Sequence, residues 1–286
     1  MQHDLEALYC EAEQIVKNIN IPPCPAILTK LLRETREDEP DFDAIGRFIS
    51  GDVGLAAMML KTVNSPFYGL RTKATSVPQA LALLGLRTAV QLVTSLLLRQ
   101  AFPVADNEAL EEFWDASSNI ALITAYLARK VNGVDRDDAY TFALFRDCGV
   151  PAMMIGFRDY PTALADATIN DTQCVTDLEN DRYGTNHALT GYHLAKSWLL
   201  PDTTCQAVLA HHDYASLKAT PAGIPTPSAR LVVLALTAER LFAQQSMGTE
   251  SPEWRTYGGY ALEQLDITQT QFDAYVQEIG NMLPGR

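Results

Sequence analysis

Residues 48–69 read FISGDVGLAAMMLKTVNSPFYG. From Val53 to Val63 apolar side chains recur at three- and four-residue spacings, the period of one face of a helix and not the alternation of a strand. Asn64 suits the end of that helix, and Pro66 blocks its continuation. The same period governs most of the chain. PAILTKLL (25–32) repeats it, and ALEEFWDASSNIALITAYLARKV (109–131) is a longer version stopped by Asn132 and Gly133. The stretch PQALALLGLRTAVQLVTSLLLRQAF (78–102) has Pro78 at a helix start and is apolar on most sides, which predicts deep burial. Thr268 with Gln271 forms a capping box ahead of a stripe of Phe272, Val276, Ile279 and Leu283. These readings predict an all-α protein of a dozen or so helices.

A chain of 286 residues, 47% apolar and 20% charged, can bury a sizeable core and is unlike a disordered tail. No apolar run is long enough to span a membrane, and the acidic, polar N-terminus lacks a signal pattern, so a soluble cytoplasmic protein is expected. Cys10, Cys24, Cys148, Cys174 and Cys205 are odd in number and never in a Cys-x-x-Cys pair, which argues against a disulfide framework or zinc ribbon. The net charge of −13 argues against general binding to nucleic acid. Yet residues 44–103 hold six basic side chains (Arg47, Lys61, Arg71, Lys73, Arg87, Arg99) against the single acid Asp52. That excess fits a surface for an acidic partner, with Arg71, Lys73 and Arg87 as candidates, or ordinary solvated faces. A polar break near 103–108 divides the chain into subdomains at 1–105 and 106–286, the second holding four of the five histidines. Walker A, dinucleotide-fingerprint and nucleophile-elbow motifs are absent, as is the βα alternation of a receiver domain.

In ALFRDCGVPA (143–152), Arg146 and Asp147 stand side by side among small and apolar residues, where charges are seldom buried unless paired or metal-bound. His187 begins one helix. His193 is rotated away from it, and a helix starting at Pro201 and Asp202 closes on the pair His211 and His212. Three imidazoles with the Asp147 carboxylate are chemically adequate for a divalent metal. The alternative is that His211 and His212 meet a helix C-terminus favourably while a hydrogen-bonded polar cluster fills the space.

Several stretches together resemble the HDOD domain, a bacterial regulatory relative of the HD phosphohydrolase superfamily: IPPCPAILTKLL (21–32), FISGDVGLAAMMLKTVNSPFYG (48–69), TSVPQALALLGLRTAVQLV (75–93) and ENDRYGTNHALTGYHLAKSWLLP (179–201). A minor departure is Val53, where the family usually has proline. The resemblance implies an N-terminal helical subdomain packed on a degenerate HD-like one. It further implies that Ala116, Arg146 and Leu236 (or Thr237) occupy positions that bind the principal metal in catalytic relatives, with Glu239 out of register. Alanine and leucine cannot ligate, and an arginine would repel a cation. Asp147, His187, His211 and His212 match an adjoining metal site of the related HD-GYP phosphodiesterases. The implied function is a signalling output or adaptor module without catalysis, with no required cofactor. Its partners would be signalling proteins such as a sensor kinase or a cyclic-dinucleotide-turnover protein, with neither nucleic acid nor membrane as partner. The alternative is a residual metal-dependent phosphohydrolase using the surviving His/Asp cluster.

Overall fold

A computed structural model describes residues 15–16, 19, 21–34, 37, 39–64, 70, 72–102, 108–170, 174–219, 226–246 and 250–282. All regular elements among them are helices. The chain forms two compact units, one comprising Pro23–Asp106 with Ala274–Arg286 and the other Met1–Pro22 with Asn107–Asp273.

In the first of these, α1 (Ala26–Glu34), α2 (Phe42–Ser50), α3 (Val53–Val63), α4 (Val77–Leu84) and α5 (Leu86–Ala101) surround a small core. Leu28, Leu31, Ile45, Ile49, Leu55, Met59 and Val63 are fully buried there. Oxygen-bearing side chains set the helix starts by taking up otherwise orphaned N–H groups. Asp41 accepts from Ala44, Asp52 from Leu55 and Ser76 from Gln79. Since Asp52 caps α3, Val53 has no need to be proline. Asn64 ends α3, and its side-chain amide donates to the Ala74 carbonyl and accepts from the Ala74 N–H, both at 2.8 Å. Ser65, Pro66 and Phe67 lie outside the described residues.

The apolar stretch from Pro78 is not one buried helix. Gly85 takes φ +75°, a left-handed conformation that glycine adopts without strain, and separates α4 from α5. Only α5 is buried nearly all round, while α4 leaves Leu83 47% exposed.

In the second unit, α6 (Glu108–Ala128) packs on α7 (Arg136–Phe145) and on α14 (Thr226–Ser246). α8 (Gly149–Gly156) crosses α11 (His187–Ser197), which also packs on α12 (Asp202–Ala210). α9 (Tyr160–Asn170) meets α10 (Val175–Tyr183), and α13 (Tyr214–Ala219) lies under α15 (Pro252–Gln264). Trp198, fully buried at the end of α11, donates its indole N–H to the Pro22 carbonyl at 2.9 Å. The capping box at Thr268 and Gln271 opens α16 (Gln269–Met282) as expected. Phe272 and Ile279 are buried on it, Val276 is half-buried, and Leu283 lies outside the described residues.

The crossing of α8 and α11 is the tightest backbone contact of the unit. A Cβ on Gly149 would stand 1.9 Å from the His187 carbonyl oxygen and 2.7 Å from the Gly191 nitrogen. A Cβ on Gly191 would meet Val208, the Gly149 nitrogen and Cys148 at 3.1–3.4 Å. Backbone atoms cannot yield as a side-chain tip can. Gly149→Ala is therefore expected to destabilise the protein by about 3 kcal/mol, measured by denaturant unfolding. An alanine variant of wild-type stability would show that the two helices do not meet this closely.

Candidate metal centre

The close crossing delivers the turn between α7 and α8 to the first turn of α11. Arg146, Asp147 and Cys148 form that turn and are not part of a helix. Neighbouring side chains can therefore face one another, which the spacing of residues along a helix would not allow. The Arg146 Nε donates to Asp147 Oδ2 at 2.9 Å, and its Nη2 contacts the same oxygen. Nη2 also pairs with Glu239 Oε1 at 2.9 Å. Glu239 thus reaches Arg146. Leu236 is buried, and the Thr237 hydroxyl donates to the Val233 carbonyl of its own helix at 2.9 Å. Ala116 is half-buried on α6.

On the other side of Asp147 the histidines converge. Ligand-capable atoms of Asp147, His187, His211 and His212 all lie within 4.8 Å of one another. His187 Nε2 stands 3.2 Å from His211 Nε2 and 3.1 Å from His212 Nε2, and His211 Nε2 is 3.2 Å from Asp147 Oδ1. A tetrahedral centre with bonds of about 2.0–2.1 Å spaces its ligand atoms roughly 3.3–3.4 Å apart. His193, as its spacing predicts, is not among the four.

The outer nitrogens explain why the inner ones face each other. His187 Nδ1 lies 2.8 and 2.9 Å from the two oxygens of Glu179 and so carries its proton there. Glu179 also accepts the His187 backbone N–H at 2.9 Å and a hydrogen bond from the Tyr160 hydroxyl. His211 Nδ1 donates to the Val208 carbonyl at 2.7 Å, so this histidine does meet its helix C-terminus. In their neutral forms both rings then aim Nε2 lone pairs at one another and at a carboxylate oxygen. Such an arrangement is repulsive unless a cation lies between them. A divalent ion fits this donor set, and a proton shared among the imidazoles is the other cation that could serve. When bound, a divalent ion supplies Lewis acidity to whatever reaches it.

The titration behaviour reflects the same contacts. Burial would raise the Asp147 pKa, but the Arg146 charge and the His211 hydrogen bond hold it well below the usual carboxylate range. For His187, burial works against protonation and the Glu179 carboxylate overcomes it, leaving the pKa raised. Burial depresses His211, and it depresses His212 further with the help of the two neighbouring imidazoles. Burial pushes Glu239 up to about 7 against the pull of Arg146.

Glu179 is the site residue that sequence reasoning missed. It is one acid among Asp177, Asp181 and other polar residues of α10, and nothing in the pattern marks it as the one that is buried. Gly184, with φ +67°, turns the chain so that α10 can lie beside the start of α11.

A sequence model of the HDOD domain matches residues 21–214 of the chain. An uncharacterized protein of Treponema pallidum (strain Nichols) is 25% identical over 212 residues, which are 68% of this chain and 38% of that protein. The chain therefore spans well under half of that relative's length. Among solved structures, an HDOD domain protein of unknown function from Geobacter sulfurreducens superposes with a TM-score of 0.69 at 18% identity, covering 98% of this chain and 99% of that one. A Shewanella amazonensis SB2B protein provisionally named a phosphohydrolase gives 0.72 at 19% identity, covering 94% and 93%. At these identities the likeness extends to the fold.

Depressed histidines make the cluster sensitive to acid. Because the folded pKa of His212 lies below its unfolded value, the unfolded chain binds a proton that the folded chain refuses once pH falls under about 6.5, and stability is lost. His187 has the opposite sign, its contribution being present below about 6.5 and lost as pH rises through its raised folded value. Comparing wild type with His212→Gln cancels His187 and Glu239 to first order. With a chelator present, acidification from pH 7.5 to 5.5 should cost wild type about 1 kcal/mol more than the variant, read from denaturant unfolding. Equal losses would mean that His212 is not held neutral.

Proposed function

This chain belongs to the HDOD domain family, and on that premise we propose that it is a signalling output or adaptor module acting through protein contacts without catalysis. The observation that carries the proposal is the engagement of Arg146. Its guanidinium, buried between Asp147 and Glu239, stands at the position that resemblance assigns to a metal-ligating histidine. A guanidinium is permanently charged and has no free lone pair. It pairs with both carboxylates itself and repels a second cation at that place. The remaining donors, three imidazoles and one carboxylate, already number four, as in structural centres, whereas hydrolytic ones keep a position for water. On this reading the cluster holds one cation and serves structure or regulation.

The partner surface is assigned to the Pro23–Asp106 unit. It carries the basic excess of the chain, and among the described residues Lys73 and Arg87 are exposed, whereas Arg71 lies outside them. The same unit exposes Phe42, Val53 and Leu83, and large apolar side chains rimmed by charge are common at docking surfaces. Signalling proteins with acidic surfaces, such as a sensor kinase or a cyclic-dinucleotide-turnover protein, are the partner class. No helix among the described residues is long and apolar enough to cross a membrane.

A second reading, a residual metal-dependent phosphohydrolase, is favoured by the convergence of the four donor atoms. Elemental analysis of protein purified without a chelating column separates the readings when combined with an assay. We expect about one equivalent of metal, lost in His211→Ala/His212→Ala, and no cleavage of cyclic dinucleotides or a phosphodiester reporter with added manganese. Turnover that disappears in the double variant would overturn the non-catalytic reading. For the surface, Lys73→Glu/Arg87→Glu should weaken capture of a purified acidic partner about tenfold or more at low salt, with less effect at high salt. Unchanged capture with an unchanged unfolding transition would remove that face from consideration.

A further inference from the structure

His187 and His211 have their outer nitrogens committed to acceptors, but His212 does not. Its Nδ1 is buried and makes no hydrogen bond. The carboxylate facing it is Glu253 Oε1, 3.8 Å away. Glu253 stands in the first turn of α15, just after the Ser251 cap and well beyond residue 214, where the family match ends.

Resting on the reading that the cluster holds one cation, we infer that Glu253 is a positioning residue for His212, and that cation binding closes this gap into a hydrogen bond. The reason is the placement of a single proton. To offer a lone pair to a cation from Nε2, a neutral His212 must carry its proton on Nδ1. A buried N–H left without an acceptor gives up its hydrogen bond to water with nothing in return, so the bound form requires an acceptor beside Nδ1. Glu253 needs to move by roughly 1 Å to reach hydrogen-bond distance. Without a cation, His212 can carry the proton on Nε2 and donate it to His187 Nε2, 3.1 Å away, and Glu253 has no proton to accept. Occupancy of the cluster thus selects the tautomer of His212, and the tautomer selects the position of the first turn of α15.

That turn is mechanically connected. Trp254, the next residue, stacks on Phe272 with ring centroids 5.3 Å apart. One turn on, Tyr257 stacks on Tyr214 at 5.1 Å, and the Tyr260 hydroxyl donates to the Leu217 carbonyl at 2.8 Å. α15 is therefore tied to α13 by two contacts downstream of the one that changes. Cation occupancy, read by Glu253, becomes a shift in the environment of Trp254.

The test uses the full chain, stripped of metal with a chelator and titrated with Zn2+ in competition with a chromophoric chelator. Wild type should bind one equivalent and change its tryptophan emission, and the emission change should be absent in Trp254→Phe. Glu253→Ala should weaken Zn2+ binding roughly 10–100-fold and abolish the emission change. Glu253→Gln, which keeps an acceptor oxygen, should recover much of the affinity. Circular dichroism confirms that each variant is folded. Wild-type affinity and emission response in folded Glu253→Ala would overturn the role of Glu253 while leaving the cation site intact. Absence of Zn2+ binding by folded wild type would overturn the cation site itself, and this role with it.

Discussion

The site depends on one steric condition, that two backbones meet where α8 crosses α11. Gly149 and Gly191 are the residues that permit it, and at Gly149 there is no room for even a methyl group. The contact lies two residues after Asp147 and involves the carbonyl of His187 itself. Glycine at these positions therefore fixes the distance between a carboxylate on one element and an imidazole on another. α12 completes the arrangement, because Val208 packs against Gly191 and its carbonyl orients His211. Packing and ligand placement are the same contact seen from two sides.

Within that geometry, charge decides which groups can share the cleft. Asp147 offers one oxygen to Arg146 and the other to the histidines, so a single half-buried carboxylate serves two differently compensated neighbours. On the arginine side the compensation is covalently attached and permanent. On the histidine side the inner nitrogens of His187 and His211 are lone pairs, because Glu179 and the Val208 carbonyl hold the protons outside. Burial raises the cost of leaving such groups uncompensated. The histidine side therefore suits an exchangeable cation where the arginine side does not.

Much of this was legible in the residues. Periodicity and caps placed the helices around Val53–Val63 and Gln269–Met282, and the spacing of His187, His211 and His212 singled out three of the four donors. The break at Gly85 was not legible, since an isolated glycine in an apolar run is compatible with a continuous helix until its φ is known. The Arg146–Asp147 contact was hidden for a similar reason. Treated as helical neighbours they would diverge, and only the turn between α7 and α8 lets them pair. Glu179 and Glu253 sit in polar, acid-rich contexts where local pattern cannot distinguish a buried orienting carboxylate from a solvated one. Orienting groups such as these are chosen by tertiary geometry, which periodicity does not encode.

On the proposed non-catalytic reading, arginine at residue 146 does more than delete a metal position. An alanine at residue 146 would have left Asp147 and Glu239 as neighbouring carboxylates without a cation, at a cost burial makes severe. Arg146 instead holds both carboxylates on one permanently charged group. The permanence of that charge also removes any variable from that half of the site. Whatever information the proposed module draws from this cleft would then enter through the adjoining imidazoles, where protonation and occupancy can change. On that reading the sensitive end of the cluster is His212, the donor whose outer nitrogen makes no hydrogen bond.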